Sequence, residues 1–247
     1  MALFEAHDIH KRFGSSVVLE KICLEFGEGQ ISGIMGPNGA GKTTCFNVLT
    51  GRYAPNRGTI RFDGQDITGL PPQRIARMGI SRSFQIMNLF DDSTVIENVM
   101  IALPEFRKMR TNTIRPVFDD MVLVDGAMEI LSQVGLEDVA WEPSVSLSYG
   151  NRRALEIGVA LAAKPRIVFL DEPTQGLGAE ATRQLATLIK RLKESYTIVL
   201  IEHDMQFLFE LADKISVIHW GQVIAEGTPG ELQSNKWVQR SALGGIA

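Results

Sequence analysis

The sequence predicts an α/β fold whose core is interrupted by a helical segment. Residues 31–49 indicate a strand that passes through a glycine-rich turn into a helix, and residues 166–212 alternate apolar strands with helices. Between residues 71 and 164 the apolar residues instead recur at helical spacing. We therefore expect a single domain over residues 1–247, with a helical subdomain at roughly residues 71–164 inserted into its core.

The core elements follow from local patterns. Short runs of Val, Ile and Leu are typical of buried parallel strands, whereas residues 22–26 alternate as a half-buried strand does. The expected elements are strands at residues 22–26, 31–35, 58–64, 166–170 and 197–201, helices at 42–49, 180–193 and 205–212, and a hairpin over 215–225 that turns at Trp220-Gly221.

The insertion has signals for three helices. Thr94 and Glu97 match a capping box, which predicts a helix over residues 95–102. Apolar residues at helical spacing predict a second helix over residues 119–134, and a third is expected to follow Gly150 and to stop at Pro165.

The composition is that of a globular protein and excludes several classes. Of 247 residues, 45% are hydrophobic and 22% are charged, which excludes a disordered chain. The formal net charge of −4 argues against general nucleic-acid binding, which needs clustered positive charge. Two cysteines, Cys23 and Cys45, are too few for a disulfide framework, so reduced thiols in a cytosolic compartment are expected. No apolar run approaches the ~20 residues that span a bilayer.

The strongest motif is a phosphate loop between a predicted strand and a predicted helix. It matches G-x-x-x-x-G-K-[ST], in which backbone N–H groups and the helix N-terminus bind phosphate. Lys42 would reach the β and γ phosphates, and the Thr43 hydroxyl would bind Mg²⁺. The nucleotide-binding candidates here are Gly36, Pro37, Asn38, Gly39, Ala40, Gly41, Lys42, Thr43 and Thr44.

Two adjacent carboxylates end the strand at residues 166–170. Open α/β sheets bind ligands at the carboxyl ends of their strands, so Asp171 is placed to hold Mg²⁺. Glu172 could then polarise the attacking water as general base. Taken alone, the pair could equally be two solvated loop residues.

A third motif, LSYGN (147–151), precedes two arginines in the first turn of a helix. Positive charges there oppose the helix dipole, unless an anion from outside the helix is bound. Ser148 and the N–H of Gly150 are placed to bind such an anion. The alternative is a plain helix cap followed by two solvated arginines, Arg152 and Arg153.

In their order along the chain, these motifs resemble those of the ATP-binding cassette (ABC) family. Gln85 after Phe84, and His203 in IEHD after the strand TIVLI, extend the match to nearly the whole chain. The resemblance implies an α/β P-loop NTPase of ABC-ATPase type, with a mixed β core, an antiparallel β subdomain and the helical insertion. It also implies hydrolysis of ATP to ADP and phosphate, with ATP and Mg²⁺ bound.

The resemblance further implies residue roles. The family's matching His contacts the γ-phosphate, and its matching Gln senses Mg²⁺ and water. Phe13 matches the aromatic residue that stacks on adenine, with packing into the first sheet as the alternative. The catalytic candidates are thus Glu172, His203, Lys42 and Gln85, and the metal-binding candidates are Thr43, Gln85 and Asp171.

In the family, two cassettes close head to tail around two ATP molecules. Ser148 and Gly150 would then face the ATP held by the partner's phosphate loop. This chain departs from the usual pattern at Tyr149 and Asn151, which replace Gly and Gln. It also has Gly178 where an Asp usually reaches across the dimer, so coupling between the two ATP sites is left open.

Within the family, the resemblance is to ATPase subunits of branched-chain amino acid and urea-type uptake systems. The basic stretch Arg107, Lys108, Arg110 and Arg115 also fits this branch, with a solvated helix end as the alternative. The segments that carry the likeness are SRSFQ (81–85), TVIENV (94–99), RRALEIGVALA (152–162), IEHDM (201–205) and VIAEGTPGEL (223–232).

This likeness implies an ATP-hydrolysing subunit that drives uptake of branched-chain or other hydrophobic amino acids, or of urea- or amide-like solutes. The implied partners are a second ABC ATPase subunit, identical or different, transmembrane permease subunits, and a periplasmic or extracellular solute-binding protein, without nucleic acid. The chain would be cytoplasmic and held at the inner face of the cell membrane by the permease. Two alternatives stay open: an exporter-type subunit acting on lipid or lipopolysaccharide, and a soluble ABC ATPase outside transport.

Cys45 allows two interpretations. It lies near the positive end of the phosphate-loop helix, where a thiolate can be favoured beside the nucleotide. A small buried apolar contact is the favoured alternative.

Overall fold

A computed structural model gives the fold and describes residues 2–83, 89–109 and 120–235, with only the backbone at 107–109. The strands are β1 (Ala2–Phe13), β2 (Ser16–Gly27), β3 (Ile31–Met35), β4 (Arg57–Phe62), β5 (Gln65–Asp66), β6 (Ile80–Arg82), β7 (Ile167–Asp171), β8 (Thr197–Glu202), β9 (Lys214–His219) and β10 (Gln222–Gly227). The helices are α1 (Lys42–Leu49), α2 (Pro72–Arg77), α3 (Val95–Met100), α4 (Pro104–Met109), α5 (Met121–Val134), α6 (Tyr149–Ala162), α7 (Ala179–Leu192), α8 (Met205–Leu211) and α9 (Pro229–Ser234).

The smaller sheet is antiparallel and has the order β2-β1-β4-β5. On the inner strand β1, Phe4 pairs with Phe26 of β2 and with Phe62 of β4. The ring of Phe4 also meets Phe169 of β7 edge to face, with 5.3 Å between centroids. This sheet therefore packs its aromatic face onto the larger sheet, and the expected antiparallel β subdomain is confirmed.

The larger sheet has the order β10-β9-β3-β8-β7-β6. Its strands are parallel except for β10, which forms the predicted hairpin with β9. Every residue of β3, β7 and β8 is buried, as expected for parallel strands covered on both faces. Because β3, β8 and β7 are neighbours, their carboxyl ends meet at one edge of the sheet.

The segment between residues 71 and 164 is mostly helical, but it also contributes a strand. Residues 80–82 form β6, which pairs with β7 at the edge of the large sheet. After β6, helices α3, α5 and α6 pack on one another around a shared apolar core. The capping box at the start of α3 is confirmed, since Thr94 and Glu97 exchange both expected hydrogen bonds.

Within the described residues, no helix combines the length and the apolar character that a membrane crossing requires.

Candidate active site

The phosphate loop lies between β3 and α1, close against the backbone of neighbouring strands. A side chain at Gly36 would place its Cβ 2.1 Å from the carbonyl oxygen of Ile218 on β9. Gly41 has a φ of 100° and faces the carbonyl of Val18. Glycine is therefore required at both positions, at Gly36 by space and at Gly41 by backbone conformation.

Lys42 is buried beneath this loop. Its Nζ donates hydrogen bonds to the carbonyl oxygens of Gly36 at 2.8 Å and Pro37 at 3.1 Å. Burial lowers the pKa of Lys42, while the carboxylates of Glu172, Asp171 and Glu202 oppose this shift. The ammonium group is thus held between the loop and a cluster of acidic side chains.

Asp171 and Glu172 lie where β7 ends, as the sequence predicts. Asp171 is buried, and this burial, followed by the charges of Glu172 and Glu202, raises its pKa to about 6. Glu172 adopts a left-handed backbone conformation with a φ of 46°, and its N–H donates to the carbonyl of Ile201 on β8 at 2.8 Å. A non-glycine residue in this region is strained, and such strain concentrates at functional sites.

His203 follows β8 and faces the same acidic group. Its Nδ1 lies 3.7 Å from Oε1 of Glu172 and 3.8 Å from Oε2 of Glu202. Its side chain is 51% exposed, so a ligand could reach the ring. The structure therefore brings Lys42, Asp171, Glu172 and His203 together at the carboxyl edge of the large sheet.

The sequence interpretation missed Glu202, which is completely buried at the end of β8. It accepts hydrogen bonds from the backbone and the hydroxyl of Thr174. The available signal was a charged residue that directly continues the apolar strand TIVLI.

The two arginines at the start of α6 both have partners within the chain, so the alternative of two solvated arginines is wrong. The binding of an outside anion by Ser148 and Gly150 stays a prediction. Arg152 pairs with Asp91, and its other amino group donates to the carbonyl of Ser144 at 3.3 Å. Arg153 is 2% exposed and pairs with Glu156 at 2.5 Å. The conflict with the helix dipole is therefore resolved by groups within the chain.

Arg153 also connects α6 to the loop that follows Asp171. Its Nε donates to the carbonyl of Pro173 and its second amino group to the carbonyl of Glu172, both at 3.0 Å. A buried guanidinium thus fixes the backbone at the candidate general base, a contact that the sequence interpretation did not identify.

The LSYGN segment caps α6, which begins at Tyr149 rather than after Gly150. Ser148 is exposed, and its hydroxyl accepts from the N–H of Asn151 at 3.2 Å. The Tyr149 hydroxyl donates to the carbonyl of Gln175 at 3.2 Å. In the part of the chain that the structure describes, no hydrogen bond or ion pair joins Ser148 or Gly150 to the phosphate loop of the same chain.

Phe13 stands at the end of β1 and is 45% exposed. Its ring meets Tyr53 edge to face with centroids 5.3 Å apart, and the ammonium of Lys11 lies over it. Phe13 is therefore not packed into the interior of the first sheet, and nearly half of its surface stays exposed.

Several predicted residues lie outside the description. Gln85 falls in the undescribed segment 84–88, and Arg110 and Arg115 fall in the segment 110–119. The side chains of Arg107 and Lys108 are likewise undescribed. Their assigned roles stay predictions.

Cys45 lies inside the apolar core. It is 1% exposed, and burial raises the pKa of its thiol to about 12. The interpretation as a reactive thiolate is therefore wrong, and the buried apolar contact is confirmed.

The oxygen donors of Thr43 and Asp171 suit a hard cation. Thr43 lies in the first turn of α1 and is exposed, and its hydroxyl, like the Asp171 carboxylate, offers oxygen. Among the described residues, no three His, Cys, Asp or Glu side chains are grouped to hold a metal by themselves. Mg²⁺ in phosphate-transfer sites needs only one or two protein ligands, because substrate phosphates and water complete its shell.

Known proteins resemble this chain in sequence and in fold. The family model described as ABC transporter matches residues 19–175. The high-affinity branched-chain amino acid transport ATP-binding proteins BraF of Pseudomonas aeruginosa and LivG of Salmonella typhimurium are 38% and 39% identical to this chain, over 98% of the chain and of each relative. The ADP conformation of an ATP-binding cassette of an ABC transporter superimposes with a TM-score of 0.88 and 28% identity, covering 99% of both chains. A dimeric cassette in a post-hydrolysis state, bound to ADP and phosphate, superimposes with a TM-score of 0.75 and 27% identity over 92% of this chain and 98% of that one.

Proposed function

The chain belongs to the ABC transporter family as an ATP-hydrolysing subunit, and we propose that it drives uptake of branched-chain or other hydrophobic amino acids. The observation that carries the catalytic assignment is the meeting of Lys42, Asp171, Glu172 and His203 at one sheet edge. The solute assignment is supported by relatives whose names specify branched-chain amino acid transport.

Mg²⁺ fits the donors at this edge. Thr43 and Asp171 would hold it, and a cation beside Asp171 would favour the ionised carboxyl, whose raised pKa reflects burial and neighbouring negative charge. When bound, Mg²⁺ neutralises charge on the β and γ phosphates.

The chain's own residues then have separate tasks. Backbone N–H groups of the phosphate loop and the Lys42 ammonium bind the phosphates and neutralise their charge. The Glu172 carboxylate takes a proton from the attacking water while the water oxygen bonds to the γ-phosphorus. The bond between the γ-phosphorus and the β–γ bridging oxygen breaks, which releases ADP. His203 contacts the γ-phosphate, and Phe13 stacks on adenine.

A second cassette would complete each site. Among the described residues, neither Ser148 nor Gly150 bonds to the phosphate loop of its own chain. Ser148 is exposed at the start of a 14-residue helix. The N–H groups of such a helix end suit an incoming phosphate, and the partner subunit's ATP would supply it. The dimeric relative in a post-hydrolysis state supports this arrangement.

The remaining partners follow from the transport assignment. We propose that permease subunits hold the chain at the inner face of the cell membrane and that a solute-binding protein delivers the amino acid outside.

The catalytic assignment is tested with Glu172→Gln in the purified chain. Removing a general base costs about 10²- to 10⁴-fold in turnover, so kcat should fall at least about 100-fold while KM for ATP changes little. The control is Glu210→Gln, which removes an exposed carboxylate near the C-terminal end of α8 that pairs with Lys190 of α7. Wild-type turnover in the Glu172 variant would show that the base is another group.

The transport assignment is tested by assembly. The chain is expected to co-purify in detergent with its permease subunits and, once reconstituted in vesicles with the binding protein, to support ATP-dependent uptake of radiolabelled leucine. Stable co-purification with ribosomes or DNA in place of membrane subunits would contradict the proposal.

A further inference from the structure

Glu202 is a fully buried carboxylate within the active-site cluster, yet it is neither phosphate-loop residue, base nor metal ligand in the mechanism above. It ends β8, next to His203. Its charge contributes to the raised pKa of Asp171 and opposes the lowering of the pKa of Lys42, so it lies near both groups. A buried charge beside two other carboxylates is costly, and such groups are enriched at functional sites.

Three donors converge on this carboxylate. The N–H and the hydroxyl of Thr174 donate to Oε1 at 2.8 and 2.6 Å. The backbone N–H of His203 donates to Oε2 at 3.2 Å. Since all three partners are donors, they match an ionised carboxylate, which only accepts hydrogen bonds.

These bonds join two parts of the site that the chain supplies separately. Thr174 lies two residues after Glu172, in the loop that leaves β7, whereas His203 begins the loop that leaves β8. Arg153 of α6 donates to the carbonyls of Glu172 and Pro173 in the loop that leaves β7. The strained backbone at Glu172 is therefore held by two buried charges. The Arg153 guanidinium binds the carbonyls of residues 172 and 173, and the Glu202 carboxylate binds residue 174.

We propose that Glu202 is a positioning residue for ATP hydrolysis. It fixes the loop after Glu172 and the backbone of His203 relative to each other, so that the Glu172 carboxylate and the His203 ring face the same γ-phosphate. This inference rests on the proposed roles of Glu172 and His203, and it assigns Glu202 no contact with the nucleotide.

The central experiment measures steady-state ATP hydrolysis by the purified full-length chain carrying Glu202→Gln. Glutamine has one acceptor oxygen and one donor NH₂, so in either orientation the NH₂ faces a donor. Loss of a supporting hydrogen bond at an active site costs about 10- to 100-fold in activity. We expect kcat to fall by about that factor with KM for ATP changed less than about threefold, because the phosphate loop is untouched.

Two substitutions at Thr174 provide an independent test that leaves the buried charge in place. Thr174→Val has the shape of threonine without its hydroxyl, and Thr174→Ser keeps the hydroxyl. We expect the valine variant to lose kcat about 5- to 10-fold and the serine variant to retain nearly wild-type kcat. Retention by serine and loss by valine is a pattern that general loosening of the loop would not produce.

The matched control is Glu226→Gln. Glu226 on β10 also accepts from a hydroxyl, that of Ser216 at 2.7 Å, and it lies on the hairpin strand at the far edge of the sheet. This variant should keep wild-type kcat and KM.

The outcomes separate this inference from the catalytic assignment. Wild-type kcat in Thr174→Val overturns the positioning role, whatever Glu202→Gln does, and so does an equal loss in the valine and serine variants. If Glu172→Gln loses turnover while Glu202→Gln and Thr174→Val keep it, only the present inference fails. If Glu172→Gln keeps turnover, the proposed base is wrong, and the proposal that Glu202 positions this base fails with it.

Discussion

Replacing Asp171 with asparagine should stabilise the folded protein at neutral pH, although it removes a candidate magnesium ligand. Burial and the charges of Glu172 and Glu202 raise the pKa of Asp171 from an ordinary 3.8 to about 6. Each pKa unit is worth about 1.4 kcal/mol, so ionised Asp171 costs the folded state on the order of 3 kcal/mol at pH 7. Asparagine has nearly the same shape without the charge, and it should recover most of that cost.

The sign of the shift fixes the pH range of the effect. Because the pKa of Asp171 is higher in the folded than in the unfolded chain, the folded state keeps this proton between about pH 4 and pH 6, where the unfolded state releases it. The stability linked to this group is therefore present below about pH 4 and is lost as the pH rises through about 6. Wild type and Asp171→Asn should differ little at pH 4 and most above pH 7.

The measurement is urea unfolding in EDTA without nucleotide, at several pH values from 4 to 8. With a slope of about 3 kcal/mol/M, the variant's midpoint should lie about 1 M higher at pH 7.5. Asp125→Asn, which removes an exposed carboxylate on α5, is the control and should follow wild type at every pH. Equal midpoints for wild type and Asp171→Asn at pH 7.5, or a difference that is as large at pH 4, would refute this electrostatic reasoning.

Two further predictions concern buried groups. Arg153→Met should lower the free energy of unfolding by about 3–5 kcal/mol, because it removes the cation paired with buried Glu156. Adding Glu156→Met should restore much of this loss in the same urea titration. An undiminished loss in the double variant would contradict the pairing. Iodoacetamide should label exposed Cys23 in the folded chain and Cys45 only after unfolding, because burial raises the pKa of Cys45 to about 12; rapid labelling of Cys45 in the native protein, located by mass spectrometry of its peptides, would be inconsistent with its position in the core.

The parts of the site that the sequence predicts are those encoded by consecutive residues. The glycines of the phosphate loop, Lys42 and the strand-end pair Asp171 and Glu172 each depend on a few neighbours and on the strand before them. Buried strands such as β7 and β8 are likewise recognisable from short apolar runs. By contrast, β6 has three residues, too few for any periodicity, and it lies within a segment whose pattern is otherwise helical.

The residues that the sequence does not reveal act through tertiary contacts. Arg153 is directed inward because α6 packs over the loop after β7, and its partners include backbone carbonyls that have no sequence signature. Glu202 meets Thr174 because β7 and β8 are paired in the sheet, a register that cannot be read from either strand alone. Helix-dipole reasoning identified the charge conflict at α6 correctly but could not show that an internal carboxylate and carbonyls resolve it.

The departures from the family pattern also acquire a different meaning in three dimensions. In the sequence, Tyr149 and Gly178 are separate irregularities. In the structure, the Tyr149 hydroxyl bonds the carbonyl of Gln175, and a Cβ at Gly176 would lie 3.0 Å from that hydroxyl. Gly176 also has a φ of 80°, a backbone conformation that favours glycine, and any side chain there would displace the Tyr149 hydroxyl by a few tenths of an ångström. The Tyr149 side chain at the start of α6 thus packs against the loop that follows Glu172, which links the two segments directly within one chain. Gly178, in contrast, has no side chain with which to reach across to a partner.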